Sequence, residues 1–461
     1  MRFLILFTLL TFFGASSGHG NPKLLVIMLD GCRYDYFSRM EPNTGAYEKI
    51  KTEGVIVDYV QPILPSLSWP SWTTIVTGLY PEDQQITGNH MQDPQTGERF
   101  NPKNDSSTRD EKWWKGHIPI WSTLTDRGYK VGLHKWSRCD VPFIVNNKPI
   151  LPEKCQPYFS SNYSADINSF KEALENSLDD IQNGILDASF VYYLNIDSLG
   201  HPYGPDSNEV KTAVFDVNQA LLELLMDIQD RALENVLNVI ILSDHGMTRN
   251  SNFDYEPLSS HLSEESIENI DVIIDGYNIG LKNASNVESV YEDLSQWEEI
   301  DVYKKDEMPE YFGLNDAEFL LDLIVSPKNN VTGGIDNANP DLYWPEFPTN
   351  NETLQKLGGS HGYNDITDGY RQDGNFADMR GIFMAIGPKF ERSRRHQWIK
   401  LVDEYQIMLH VFDINDGPKH NGTWERVKCM FVDQECATDS VKRIEPFCLM
   451  MLILLSVNQF L

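Results

Sequence analysis

Basic residues are in short supply. Against 68 Asp and Glu the chain sets only 38 Lys and Arg, a formal charge of −30 over 461 residues. Binding nucleic acid through its phosphates needs the opposite balance, so that class of function is excluded first. Cysteine is scarce as well, six in all. Fixed-period repeats, low-complexity tracts and Pro-rich or Gly/Ser-rich linkers are absent, which excludes a repeat array and leaves no obvious place to cut the chain. What the sequence has in quantity is apolar material: 41% hydrophobic and 11% aromatic residues, enough to bury a sizeable core and to exclude disorder as the main state.

The two ends read as processing signals. Arg2 precedes an apolar run over 3–13 and the small residues Gly14, Ala15, Ser16 and Ser17. The run is too brief to span a bilayer, and residues 1–17 are expected to form a secretory signal peptide. Entry into that route gives meaning to six Asn-x-Ser/Thr sequons, at Asn104, Asn162, Asn283, Asn330, Asn351 and Asn421. At the other end, small and polar residues from Ala437 to Ser440 and a polar spacer over 441–446 precede an apolar tail over 447–461. That order predicts a removable glycolipid-anchor signal over 441–461 and a location on the extracellular face of the plasma membrane; the rival reading is a C-terminal helix packed on the domain. Setting aside Cys448 in the tail leaves Cys139 and Cys155 for a local disulfide and Cys32 as an unpaired core residue. Cys429 and Cys436 pair with each other, or one of them links two subunits into a homodimer.

Four apolar runs have the length and β-branched content of buried strands, over 24–29, 190–196, 237–242 and 381–386. Helical periodicity separates them, over 166–181 and 208–233. The pattern predicts an α/β fold, a mostly parallel central sheet with helices on both faces. Residues 18–440 are expected to form a single catalytic domain, with 264–348, rich in Asn, Asp and Glu, as a lid or subdomain.

Ligands of open α/β sheets gather at the carboxyl ends of the strands, and three of these runs end in metal-binding side chains. Asp30 follows the first; Asp197 follows the second, with His201 four residues on; Asp244 and His245 follow the third. His361 opens His361-Gly362-Tyr363. One Asp at a strand end is ordinarily a helix cap, and one His a satisfied core residue. Three of each form the oxygen and nitrogen donor set that zinc accepts, divided between two ions. A nucleophile is offered by Ser68 in Ser66-Leu67-Ser68-Trp69-Pro70, where Pro70 suits a first helical turn and Gly78 a helix stop. A helix N-terminus there would favour an anionic phosphoryl group. The plainer reading of Ser68 is an N-cap.

The ordered series Leu29-Asp30-Gly31, Ser68-Trp69-Pro70 followed by Ile75-Val76-Thr77-Gly78-Leu79-Tyr80-Pro81, Gly88-Asn89-His90-Met91, Asp197-x-x-Gly200-His201-x-Tyr203-Gly204-Pro205, Ser243-Asp244-His245-Gly246-Met247, His361-Gly362-Tyr363 and Met379-Arg380-Gly381-Ile382-Phe383 resembles the ectonucleotide pyrophosphatase/phosphodiesterase family of the alkaline phosphatase superfamily. The resemblance runs over roughly 23–430. It implies an alkaline-phosphatase-like fold and two Zn²⁺ per chain, one held by Asp197, His201 and His361, the other by Asp30, Ser68, Asp244 and His245. Asn89 matches the family's donor to a phosphate oxygen. Most members carry Thr as nucleophile. Ser68, with Trp113-Trp114-Lys115-Gly116 and Asn421-Gly422-Thr423-Trp424-x-Arg426-Val427-x-Cys429-Met430, is similar to the choline-specific glycerophosphodiesterase branch. Ser71, where relatives usually have Asn, departs from the pattern without removing a ligand.

Three functions follow as expectations. The first is a zinc-dependent phosphodiesterase that releases phosphocholine from glycerophosphocholine and lysophosphatidylcholine through a phosphoserine ester at Ser68. In that reading Trp69 and Tyr192 offer aromatic faces to the quaternary ammonium, and Glu172, Glu175 or Asp179 on the preceding helix supplies a carboxylate. The second keeps the chemistry and takes nucleotides, with Trp69 and Tyr192 stacking on a base. The third is a silent binding protein that has kept the fold; retention of six ligands and Ser68 argues against it.

Overall fold

The computed structural model describes residues 22–40, 45–158, 166–250, 254–327, 331–334, 343–344, 358–363 and 377–436. In chain order its main elements are β1 (Lys23–Leu29), α1 (Gly45–Glu53), β2 (Val55–Gln61), α2 (Ser68–Thr77), α3 (Ile120–Asp126), β3 (Val131–Trp136), β4 (Lys154–Pro157), α4 (Ile167–Gln182), β5 (Ala188–Tyr193), α5 (Asn195–Tyr203), α6 (Asn208–Asp230) and β6 (Leu237–Leu242). An inserted stretch follows, with α7 (Glu264–Asn269), β7 (Ile270–Ile274), β8 (Asn278–Leu281), α8 (Val287–Ser295), β9 (Ile300–Lys304), β10 (Leu323–Pro327) and β11 (Tyr343–Trp344). The chain then returns through β12 (Phe383–Ile386), β13 (Arg394–Lys400) and α9 (Glu404–Val411).

Side chains alternate across a strand, and β1 shows what that does here. Leu24, Val26 and Met28 face one layer, packed with Trp72, Ile75 and Val76 of α2, Leu124 of α3 and Met408 of α9. Leu25, Ile27 and Leu29 face the other, packed with Ile50 of α1, Leu174 and Leu178 of α4 and Val217 and Leu221 of α6. A strand apolar on both faces must lie inside, and β1 is central in an eight-stranded sheet of order β13-β2-β12-β6-β1-β5-β3-β4. Its pairings with β5 and β6 are parallel, as are those of β3 with β5 and with β4 and of β2 with β13; β12 runs against both β6 and β2. The fold is thus the mostly parallel, alkaline-phosphatase-like α/β sheet that the sequence implies. Three parallel strands lie side by side at its centre, in the order β6-β1-β5, and their carboxyl ends open on one place.

The inserted segment builds a second sheet of order β9-β10-β8-β7-β11. It closes over its own core, in which Ile273, Ile279, Leu294, Trp297 and Leu323 are buried.

Cys139 and Cys155 form one disulfide and Cys429 and Cys436 another, with Cys32 free and buried. The second pairing corrects the expectation of a homodimer linked through Cys429 or Cys436, because both sulfurs are spent within the chain. Asn104 and Asn283 are exposed, each capping a short helical turn. Asn421 differs: its Oδ1 accepts from the Tyr80 N–H at 3.0 Å and its Nδ2 donates to Asp83 at 3.0 Å, so this partly buried amide serves the fold and a glycan there would compete with that contact. Asn162, Asn330 and Asn351, and both terminal signals, lie outside the described residues. Among the described residues no helix is long and apolar enough to cross a membrane.

Candidate active site

Asp30 stands immediately after β1, and Asp244 and His245 stand just after β6. Asp197 departs from the expected strand: β5 stops at Tyr193, and Asp197 sits in the first turn of α5 with His201 one turn later on the same face. His361 arrives from the far side of the insert. The result is two groups of three side chains whose ligand atoms all lie within 4.8 Å of one another: Asp197, His201 and His361, and Asp30, Asp244 and His245.

Each imidazole is oriented in the same way. Nδ1 of His245 meets Gly246 O at 2.8 Å, that of His361 meets Ser66 O at 3.0 Å, and that of His201 meets Gly359 O at 3.1 Å. A carbonyl can only accept, so each Nδ1 carries the proton and each Nε2 presents its lone pair. Those lone pairs point at carboxylates: His201 Nε2 to Asp197 Oδ2 is 3.4 Å, His361 Nε2 to Asp197 Oδ1 3.6 Å, His245 Nε2 to Asp244 Oδ2 3.4 Å and to Asp30 Oδ1 3.7 Å. Two donors about 2.1 Å from a shared ion at the tetrahedral angle stand about 3.4 Å apart, the spacing seen here. Asp30 Oδ1 and Asp197 Oδ1 are buried without a hydrogen-bond partner, which is costly unless a cation takes up the lone pairs. The residues present fit a pair of divalent ions.

The electrostatics of the bare site agree. Burial, with Asp244 and Asp197 alongside, pushes Asp30 well above the ordinary carboxylate range, and burial raises Asp244 against the pull of His245. For Asp197 the effect of burial is outweighed by the charge of His201, which holds it far below that range. Burial lowers His201 but Asp197 more than offsets this and raises it to about 9; 47% of the side chain is exposed, so water screens this pair more than the others. Burial and the neighbouring His245 hold His361 well below the usual imidazole range. Protons occupy the site where cations would otherwise lie.

Ser68 opens α2, whose N-cap is Leu67. Its hydroxyl caps no backbone N–H and lies 3.3 Å from His245 Nε2, which sets aside the plain N-cap reading. Asn89 accepts the Trp69 N–H on Oδ1 at 3.0 Å, so its amide group has a fixed sense and the NH₂ end is the one left to donate.

The expected substrate-facing aromatics are placed otherwise. Trp69 is 3% exposed and packs against Trp72, Phe100 and Trp114. Tyr192, also 3% exposed, donates its hydroxyl to Asp30 Oδ2 while its ring meets Trp72 and Tyr158 edge to face. A ring on a central strand, buried against Trp72 and Tyr158, has no open face, and Tyr192 instead orients a carboxylate. Glu172, Glu175 and Asp179 lie on the exposed side of α4, opposite the stripe formed by Phe170, Leu174, Leu178 and Ile181, and Asp179 pairs with Arg231. The structure does not bring them to the site.

Three supporting groups escaped the sequence reading. Trp72 Nε1 donates to Asp244 Oδ2 at 2.7 Å; its spacing of four from Ser68 was the available signal, since that puts both on one face of α2. The Gly31 N–H donates to Asp244 Oδ1 at 3.1 Å, and a Cβ on Gly31 would come within 2.9 Å of Asp197 Cβ, at a φ of +64°. Ser66 fixes His361 through its carbonyl and the Gly362 N–H through its hydroxyl, at 3.2 Å.

A model of the type I phosphodiesterase / nucleotide pyrophosphatase family matches residues 24–364. Among curated proteins, bis(5'-adenosyl)-triphosphatase ENPP4 of Homo sapiens is 29% identical over 436 residues, 91% of this chain and 84% of that protein. Ectonucleotide pyrophosphatase/phosphodiesterase family member 5 of Homo sapiens is 27% identical over 428 residues, 92% of this chain and 80% of that protein. Among solved structures, an inactive variant of murine ectonucleotide pyrophosphatase/phosphodiesterase 5 in complex with AMP aligns with a TM-score of 0.73 at 25% identity, covering 89% of this chain and all of that one.

Proposed function

Since the chain belongs to the type I phosphodiesterase / nucleotide pyrophosphatase family, a family of phosphodiester and pyrophosphate hydrolases, we propose that it hydrolyses phosphoanhydride or phosphodiester bonds of nucleotides outside the cell. The observation that carries the chemistry is the ligand cage beside Ser68: three imidazoles, each with Nδ1 held by a backbone carbonyl and Nε2 turned onto buried carboxylates. Mixed carboxylate and imidazole donors suit Zn²⁺. Bound there, the two ions would lower the pKa of the Ser68 hydroxyl and draw charge from the phosphoryl oxygens.

The chain's own groups divide the rest of the work. Asp30, Asp197 and Asp244 supply charge at fixed positions, set by Tyr192, His201 and Trp72. Ser68 Oγ bonds to phosphorus as the bond to the leaving nucleotide oxygen breaks, and water later cleaves the phosphoserine ester. Asn89 donates its NH₂ to a non-bridging oxygen as charge builds there. Nucleotides are preferred to choline esters for two reasons. ENPP4 is named for a dinucleoside triphosphate and the ENPP5 complex holds AMP. The helix carboxylates required for a choline cage lie on the exposed side of α4, while Trp69 and Tyr192 are turned to packing and to Asp30 and so frame neither a choline nor a stacked base. Two disulfides and exposed sequons at Asn104 and Asn283 support an extracellular setting.

The test is turnover of the metal-loaded protein on diadenosine triphosphate beside glycerophosphocholine, for the native chain and for Ser68→Ala. AMP should appear from the first substrate, phosphocholine should be the minor product, and Ser68→Ala should lose about 10⁴-fold in rate with its metal content unchanged. Faster release of phosphocholine would overturn the nucleotide assignment; activity surviving in Ser68→Ala would remove the nucleophile.

A further inference from the structure

The loop that carries Asn89 is held by the insert rather than by the catalytic layer alone. On one side it touches α2 through the Trp69 N–H and Asn89 Oδ1. On the other it meets the turn between β7 and β8. There Asp275 grips the next residue, His90, twice, with Oδ2 accepting its backbone N–H at 2.8 Å and Oδ1 facing its Nδ1 at 2.7 Å. Tyr277, on the same turn, donates its hydroxyl to the carbonyl of Thr87. Gly88 lies between these contacts: a Cβ there would stand 2.8 Å from Asp275 Oδ2 and 2.7 Å from His90 O, so the turn is pressed against the loop backbone. Asp275 and Gly276 take up φ of +50° and +76°, the backbone that an Asp-Gly hairpin turn uses, and the Asp275 side chain keeps only 7% exposure. The side-chain hydrogen bonds of the turn, from Asp275 and from the Tyr277 hydroxyl, lead to residues 87–90.

We propose that Asp275, seconded by Tyr277, is a positioning residue for the reaction, setting the height at which Asn89 presents its NH₂ to the phosphoryl oxygen. The inserted sheet thereby contributes to rate without touching substrate. A donor loop pinned from both sides is preorganised, and displacing a catalytic donor by about 1 Å costs on the order of 10²-fold. The proposal rests on the reading of Asn89 as the transition-state donor.

The experiment compares Asp275→Ala, Asp275→Asn and Tyr277→Phe in the native and Asn89→Ala backgrounds, with bis(p-nitrophenyl) phosphate, a diester that makes no demand on the nucleotide assignment. Asp275→Ala should lower kcat about 10- to 100-fold with KM within about twofold, and cause no further loss in Asn89→Ala. Asp275→Asn keeps an acceptor for the His90 N–H and should recover most of the rate, while Tyr277→Phe, which removes one hydroxyl, should give a smaller loss on the same pattern. Hydrogen exchange supplies a readout free of turnover: the Trp69 amide and residues 85–92 should lose protection in Asp275→Ala while α4 and α6 keep theirs. Equal losses in both backgrounds, or unchanged exchange at Trp69, would overturn the proposal. Native protein that cleaves the generic diester but no nucleotide would refute the substrate reading and leave this one standing.

Discussion

A single indole shows how far the ligand geometry depends on its support. Trp72 Nε1 donates to Asp244 Oδ2 at 2.7 Å, while Oδ1 of the same carboxylate accepts from the Gly31 and His245 N–H groups at 3.1 and 2.9 Å. Three donors from three segments, the turn after β1, α2 and the turn after β6, therefore fix one carboxylate. Trp72→Phe keeps most of the buried ring and removes only the N–H, leaving Asp244 free to rotate away from His245. Removing an outer-shell partner of a ligand typically weakens metal binding about 10- to 100-fold. Zinc competition with a chelator should show a loss of that size for Trp72→Phe, with kcat at saturating metal within a few-fold of native. An unchanged zinc affinity would mean that Gly31 and His245 suffice.

The element that carries the nucleophile is constrained at its far end. α2 stops at Gly78, which adopts φ 68° and donates its N–H to Thr74 O at 2.7 Å. A Cβ at Gly78 would lie 2.8 Å from His420 Cβ and 2.9 Å from Tyr405 Cβ, both too close for any real side chain. Gly78→Ala thus adds a left-handed-backbone cost to overpacking against α9, about 2–4 kcal/mol together, and urea unfolding should report a loss of that order. The Pro70 and Gly78 punctuation makes this helix legible in the sequence, as continuous β-branched runs do for β1, β5 and β6. The flanking strands were not legible for a physical reason. β13 reads Arg-Arg-His-Gln-Trp-Ile-Lys and β4 Lys-Cys-Gln-Pro, and as the two edges of the sheet they bury too little to need an apolar run. The same limit applies within the site. Strand ends announced Asp30, Asp244 and His245, whereas the direction of Trp69 and Tyr192 is decided by packing partners some tens of residues away in sequence, Phe100, Trp114 and Tyr158.

At the scale of the whole molecule, the site is a concentration of buried charge around which the two layers and the insert close. Asp30, Asp197 and Asp244 are all nearly inaccessible, at 1%, 7% and 1% exposure. Stability therefore depends on what neutralises them. When cations are withdrawn, protons must serve, and three of the groups are shifted upward. Asp30 and Asp244 are raised by burial and neighbouring carboxylates, and His201, raised to about 9 by Asp197 despite the opposing effect of burial, is the group that sets the range above neutrality. A group whose folded pKa lies above its unfolded value binds more protons folded, so its contribution is complete below the unfolded pKa and is lost as pH rises through the folded one. Asp197, held low, and His361, held below the ordinary imidazole value, act in the opposite sense, but only as pH falls below about 6.5. Between about pH 7 and 9 the chelated protein should therefore lose stability with rising pH, while the metal-loaded protein, whose ligands have no protons to lose, should not. The gap in Tm between zinc-loaded and chelator-treated protein should widen across that interval. A gap that stays constant from pH 7 to 9 would mean that the carboxylates are neutralised by something other than the cations and the protons that replace them.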